Sequence, residues 1–175
     1  MDGFFIKQEE IGLRCITPAD EETFLRWHND PEMREKIGGV FPFDRNTFQK
    51  ICYSYGEQQP ADIWFAISRE DELVGIAGLH NLKYIQRNAE IAIFIGNETY
   101  RHRGIGRNVV NLIVEYAFGT LALHRLYALV YSDNIPALYF LSKCQWEQEG
   151  ILKDAFYWNY HFRDVVIWSK INHID

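Results

Sequence analysis

Residues 89–118, AEIAIFIGNETYRHRGIGRNVVNLIVEYAF, limit the possible folds more than any other stretch of the chain. Residues 89–95 are apolar apart from Glu90. So continuous an apolar run predicts a strand buried on both faces. Further on, Val109, Val110, Ile113, Val114 and Ala117 recur at helical spacing and predict a helix to about Phe118 with those residues as its buried stripe. Between strand and helix lies Arg101-His102-Arg103-Gly104-Ile105-Gly106. Cations at the start of a helix oppose its macrodipole unless an anion sits between them. The two glycines bare backbone amides in the same turn, an arrangement suited to an anion such as a pyrophosphate. Strand, anion-binding turn and helix therefore form one unit.

The flanking segments supply a sheet and helices to pack on it. Residues 11–16 place Ile11, Leu13 and Cys15 on one face of a strand. A helix follows over residues 17–29, with Thr17 as cap and Pro18 in its first turn; Asp30 caps a second that opens on Pro31. Gly38, Gly39 and Pro42 enforce a loop before a third helix over residues 45–55. The segments IWFAIS and ELVGIAGL, split by the charged turn REDE, predict a hairpin. Beyond the central unit, RLYALVY reads as a strand and NIPALYFLSKC as a helix with Asn134 near its cap. Three closing strands are expected at WEQEGIL, AFYWNY and DVVIWSK. Residues 1–175 thus form a single domain of the α+β class, with one strand–helix–strand crossover inside a mixed sheet.

Composition narrows the function. A formal charge of −6 disfavours a general nucleic-acid binder and mildly favours a cationic partner. No apolar run approaches the roughly 20 residues that cross a bilayer, so no membrane partner and a cytoplasmic protein are expected. Three isolated cysteines fit free thiols, and the six histidines show no ligand spacing, so no metal is expected. The turn lacks the glycine pattern of dinucleotide-binding proteins and the Gly-Lys-Ser/Thr ending of ATPase phosphate loops.

The hexapeptide RHRGIG fits the pattern arginine or glutamine, two residues, glycine, one residue, glycine. With its flanking strand and helix it resembles the GNAT superfamily of N-acetyltransferases. LRCITPADEETFLRWHNDPEM, EYAFGTLALHRLYALVYSDNIPA and EQEGIL resemble the branch holding ribosomal-protein N-terminal and spermidine acetyltransferases. The resemblance implies a mixed, mostly antiparallel twisted sheet, with helices on both faces and a splayed central strand. It implies acetyl-CoA as cosubstrate. The amides of Arg103, Gly104, Ile105, Gly106 and Arg107 would cradle its pyrophosphate, with charge added by Arg101 and Arg103. Phe94, Ile95 and Gly96 would pair with the pantetheine arm, an amide near Ile95 would polarise the thioester carbonyl, and Asn134 would hydrogen-bond the arm or simply cap its helix.

An amine of pKa about 10.4 is only about one part in 2,500 neutral at pH 7, so the reaction gains from a base. Glu90 stands where the histone-acetylating branch carries its glutamate base; the alternative is a carboxylate that merely pairs with a neighbour such as Arg87. In this family an aromatic cluster such as Phe41, Phe43, Tyr53 and Tyr55 walls the acceptor site, and Glu32 or Glu35 would attract a cationic acceptor or merely solvate a helix. Three departures stand out. Leu141 replaces the tyrosine that acts as general acid in many relatives, Ala137 replaces a serine, and Gln145-Trp146 replaces a Gly-Phe pair. The acid is therefore unassigned. The acceptor is a polyamine, a protein N-terminal amine or an amino sugar, the oligomeric state is open, and the rival reading is a catalytically silent coenzyme A-binding sensor or structural subunit.

Overall fold

The computed structural model describes residues 3–53, 58–70, 72–101 and 103–173, the side chain of Tyr53 excepted. Eight strands form one sheet: β1 (Ile6–Gln8), β2 (Ile11–Arg14), β3 (Ile63–Arg69), β4 (Glu72–Lys83), β5 (Asn88–Ile95), β6 (Arg125–Tyr131), β7 (Glu147–Trp158) and β8 (His161–Ile171). Their order is β1-β2-β3-β4-β5-β6-β8-β7, antiparallel throughout except where β5 meets β6. Two of the three expected closing strands are one continuous β7, because irregular pairing between Leu152 and Phe156 absorbs the break in pattern. Asn159 and Tyr160 leave the strand at positive φ, 48° and 69°, and form the two-residue turn into β8.

Among the described residues five α-helices cover the two faces. On one, Phe24 and Trp27 of α1 (Glu21–Asn29) and Phe48 of α3 (Arg45–Tyr53) pack with Ile16, Ala66 and Ile76. On the other, α4 (Ile105–Glu115) presses Val109, Val110, Leu112 and Ile113 against Leu13, Phe65, Leu79 and Ile91. Leu141 of α5 (Ile135–Lys143) joins that core with Trp146 and Trp168. The regular α-helix ends at Glu115 and passes into a wider π turn over Tyr116–Thr120, short of the single helix to Phe118 that the sequence predicts.

A buried ion pair fixes α1 to the sheet. Arg14 donates to both carboxylate oxygens of Asp20 at 2.8 Å, and its Nε donates to Ser68 Oγ at 2.9 Å. The Thr17 amide also donates to Asp20, at 2.8 Å. Burial alone would raise the Asp20 carboxyl, but the Arg14 and Thr17 hydrogen bonds outweigh it and hold the group below the usual carboxylate range.

The feature that positions the site is the β5–β6 junction. These two strands pair in parallel over only three positions, Asn88 with Arg125, Ala89 with Leu126 and Glu90 with Tyr127. Beyond Glu90 they diverge while β5 stays paired to β4 as far as Ile95. The expectation of a strand buried on both faces is corrected here: Ala89 and Ile91 are buried, but residues 92–95 are only half-buried because they border the opening.

Candidate active site

The divergence opens a cleft of about 670 Å³ that runs through the sheet. Val110, Ala137, Phe140 and Leu141 wall it on the α4–α5 side; His28, Trp64, His80, Glu90, Tyr131 and Phe156 line it from elsewhere around the opening. The edge of β5 facing the cleft carries backbone groups that β6 does not pair. Gly96 N donates to Val74 O on β4 at 3.1 Å. Strand alternation therefore turns the backbone groups of Ile93 and Ile95 toward the cleft and those of Phe94 toward β4. Of the residues predicted for the acyl arm, Phe94 lines the cleft with its side chain, Ile95 turns its backbone to the unpaired edge but gives its O to Arg101, and Gly96 commits its amide to β4. Ile93 is an edge residue that sequence reasoning missed.

The glycine turn stands at the start of α4. Gly104 is its N-cap with φ 78°, a left-handed conformation that favours glycine. The amides that follow, Ile105 and Gly106, have no acceptor within the helix and are free to meet an anion. Gly106 has a different reason for being small: a Cβ there would lie 3.1 Å from the Phe140 ring, so its hydrogen lets α4 and α5 approach. Arg103 and Arg107 are exposed beside the turn. Arg101 is not turned toward it. Its guanidinium donates to Ile95 O at 3.1 Å and Gly96 O at 3.4 Å, and pairs with Glu98 at 3.0 Å, so it braces the exit of β5. His102 lies outside the described residues. Asn134 lines the cleft while accepting from Ala137 N at 3.3 Å, so capping and cleft exposure coexist.

Glu90 sits at the point of divergence with a side chain 13% exposed. Arg87, the neighbour named as its alternative partner, donates instead to Ala122 O at 2.6 Å. The partner of Glu90 is His80, directly opposite on β4, whose Nε2 stands 3.6 Å from Glu90 Oε1. Burial pushes the Glu90 carboxyl up from its ordinary range, against the opposing pull of a His80 cation and of an Asn81 hydrogen bond. A carboxyl held up this way is a stronger base than one in water. Burial also pushes the phenols of Tyr127 and Tyr131 up, keeping both neutral near pH 7, and pushes the His28 imidazole down.

The remaining expectations divide. Leu141, at the position of the missing acid, lines the cleft as an aliphatic wall, and Tyr139 points away at 64% exposure. Phe41 is 81% exposed in the loop after α2 (Pro31–Ile37) and does not line the cleft. Glu35 pairs with Arg163 at 2.8 Å rather than facing the opening. The Tyr53 side chain and Tyr55 lie outside the described residues. The aromatic residues that do line the cleft are Trp64, Phe94, Tyr131, Phe140 and Phe156. Tyr131 was not among the expected site residues; RLYALVY reads as a strand, and nothing local marks which of its faces meets the cleft.

A sheet that splits beside a partly buried carboxylate, with a glycine-capped helix behind it, is a geometry suited to acyl transfer along an exposed strand edge. Residues 10–147 match the acetyltransferase (GNAT) domain family, and the chain belongs to it as an N-acetyltransferase. The spermidine N(1)-acetyltransferase of Vibrio cholerae is 32% identical over 160 residues, spanning 89% of this chain and 90% of the relative. An uncharacterized N-acetyltransferase of Bacillus subtilis, YoaA, is 28% identical across 95% of this chain and 96% of its own. Among solved structures, V. cholerae spermidine N-acetyltransferase in complex with CoA and spermine superposes with a TM-score of 0.83 at 23% identity, covering 94% and 96% of the two chains.

Proposed function

We propose that this N-acetyltransferase moves an acetyl group from acetyl-CoA directly to the primary amine of a small acceptor, a polyamine in preference to a protein N-terminal amine or an amino sugar. The observation that carries the reading is the parting of β5 from β6 immediately beyond Glu90. It leaves strand-edge backbone groups open beside a buried carboxylate, which is what an extended amide-bearing arm and an ammonium group each require.

The residues fit the cosubstrate. The Ile105 and Gly106 amides, with Arg103 and Arg107 beside them, suit a pyrophosphate; the open edge at Ile93 and Ile95 suits the arm; either amide would polarise the acyl carbonyl. Acetyl-CoA supplies the thioester that the amine attacks. Glu90 takes the proton that the ammonium must lose, directly or through water. No tyrosine stands at Leu141, so the thiolate leaves without a dedicated acid from α5. The preference for a polyamine rests on the spermidine acetyltransferase relatives and on the net charge of −6.

Thiol release should be followed across spermidine, spermine, amino sugars and peptides with free N-termini. Release with the polyamines at the lowest acceptor concentrations supports the proposal. Release with peptides or sugars alone would move the acceptor class. Tight acetyl-CoA binding with no release from any acceptor would favour the silent coenzyme A-binding reading.

A further inference from the structure

We infer that His80 completes the base: Glu90 takes the proton from the acceptor's ammonium, and His80 takes it from Glu90 and returns it to solvent. The inference rests on the acetyl-transfer reading and deepens it. Three features assemble the pair. His80 and Glu90 are directly opposed across the antiparallel β4–β5 ladder, so both side chains leave the same face of the sheet and both line the cleft. The ladder loses its register just after His80, where Asn81 takes φ 53°, and this irregularity ends regular pairing beside the Glu90 carboxylate. The imidazole is also stacked on Trp64, with ring centroids 5.6 Å apart and planes 17° from parallel.

Gly78 makes that stack possible. It pairs with Trp64 across β3–β4, and a Cβ there would lie 2.7 Å from the indole Cε3. With hydrogen in that place the indole lies over β4 and reaches His80. The ring is thereby held face-on to Trp64 while its Nε2 points at Glu90.

The exposures of the two groups set the direction of transfer. The His80 side chain is 27% exposed and that of Glu90 13%, so Glu90 is the inner end of the pair and His80 the outer. The proton balance is simple. The N–H bond of the ammonium breaks and leaves its electron pair on nitrogen; an O–H bond forms on Glu90. That proton next crosses the 3.6 Å to His80 Nε2 through a bridging water, and the imidazolium loses a proton to water, restoring the starting state. The other titratable or charged groups lining the cleft are His28 on α1, Lys36 on α2 and Tyr131 on β6, and Tyr127 of β6 is paired beside Glu90. His28 is held down by burial with Nδ1 against Phe24 O at 3.0 Å, and Lys36 is paired with Glu32 at 2.5 Å. Both tyrosines are neutral phenols near pH 7. None of these replaces His80 as a nitrogen acceptor at ion-pair distance from Glu90.

Two variants test the inference. His80→Gln keeps a polar side chain that does not titrate, and His80→Phe keeps a ring to stack on Trp64. A cation 3.6 Å away favours the carboxylate form of Glu90 and opposes the rise that burial causes. In both variants the Glu90 midpoint, read by carboxyl ¹³C NMR, should rise. The acid limb of kcat/KM should move up with it, so turnover should fall at pH values on that limb. An unmoved Glu90 midpoint in the folded variants overturns the pairing whatever the activity. A moved midpoint with an unmoved acid limb overturns the relay. Wild-type protein that releases no thiol with any amine overturns the acetyl-transfer reading, and the relay with it; the NMR midpoint then still tells whether the two side chains are coupled.

Discussion

Replacing Glu90 with Gln separates chemistry from stability at one position. Glutamine preserves the shape of the side chain and removes the charge. Without a base, the reaction draws on acceptor that is already neutral, about one part in 2,500 at pH 7 for an amine of pKa about 10.4. General base catalysis contributes about 10²–10⁴-fold. The expected deficit of Glu90→Gln is therefore about 10²–10³-fold at pH 7, shrinking by up to about tenfold for each pH unit gained as free amine replaces the base. Stability moves the other way. Burial raises the Glu90 carboxyl, so its contribution to folding is fully present below its unfolded-state pKa and is lost as pH rises through the folded one. Removing the charge should therefore raise the melting temperature near pH 8 and leave it unchanged near pH 4. Thiol-release kinetics from pH 6.5 to 9.5, alongside calorimetry at both pH values, test this. A deficit that stays constant with pH removes Glu90 as the base, and a lowered melting temperature at pH 8 means the loss reflects damage to the fold.

Asp20→Asn leaves Arg14 buried without its counter-ion and should cost about 3–5 kcal/mol by urea denaturation. Because the Asp20 carboxyl is held low, its stabilisation is present above the unfolded pKa and disappears as pH falls through the folded one; the wild type and variant should converge in acid, and a constant gap would refute the assignment. Gly38→Ala meets two obstacles, a φ of 70° and a Cβ 2.0 Å from the Tyr131 hydroxyl oxygen. It should cost at least about 1–2 kcal/mol and raise the acceptor KM, and Tyr131→Phe in the same chain should recover part of the loss; no recovery would show that backbone strain alone is responsible. Gln145 occupies the left-handed region at φ 60°, immediately after α5, so Gln145→Gly should stabilise by about 0.5–1 kcal/mol in thermal melts, and a destabilised variant would contradict the strain.

The sequence by itself determined the parts whose physics is local. An apolar run, a glycine turn and an amphipathic stripe specify strand, turn and helix because each depends on neighbours a few residues away, and β5, Gly104 and the start of α4 stand where the pattern puts them. Glu90 was singled out by its spacing before the glycine turn, as the family resemblance implies, and the fold sets it at the start of β5. Tertiary structure decided what surrounds them. The partner of Glu90 is neither sequence neighbour Arg87 nor any nearby cation but His80, ten residues back, chosen by the register of an antiparallel ladder. Arg101 reads as an anion ligand in the sequence, yet carbonyl oxygens at the end of β5 capture it first. Gly106 reads as a cradle for phosphate, yet its missing side chain also admits the ring of Phe140 from a helix some thirty residues away. The cleft itself exists because two strands that begin as a pair at Asn88 and Arg125 part after three positions. Propensity and spacing act along the chain, whereas pairing, parting and charge capture are settled between segments that only the folded sheet brings together.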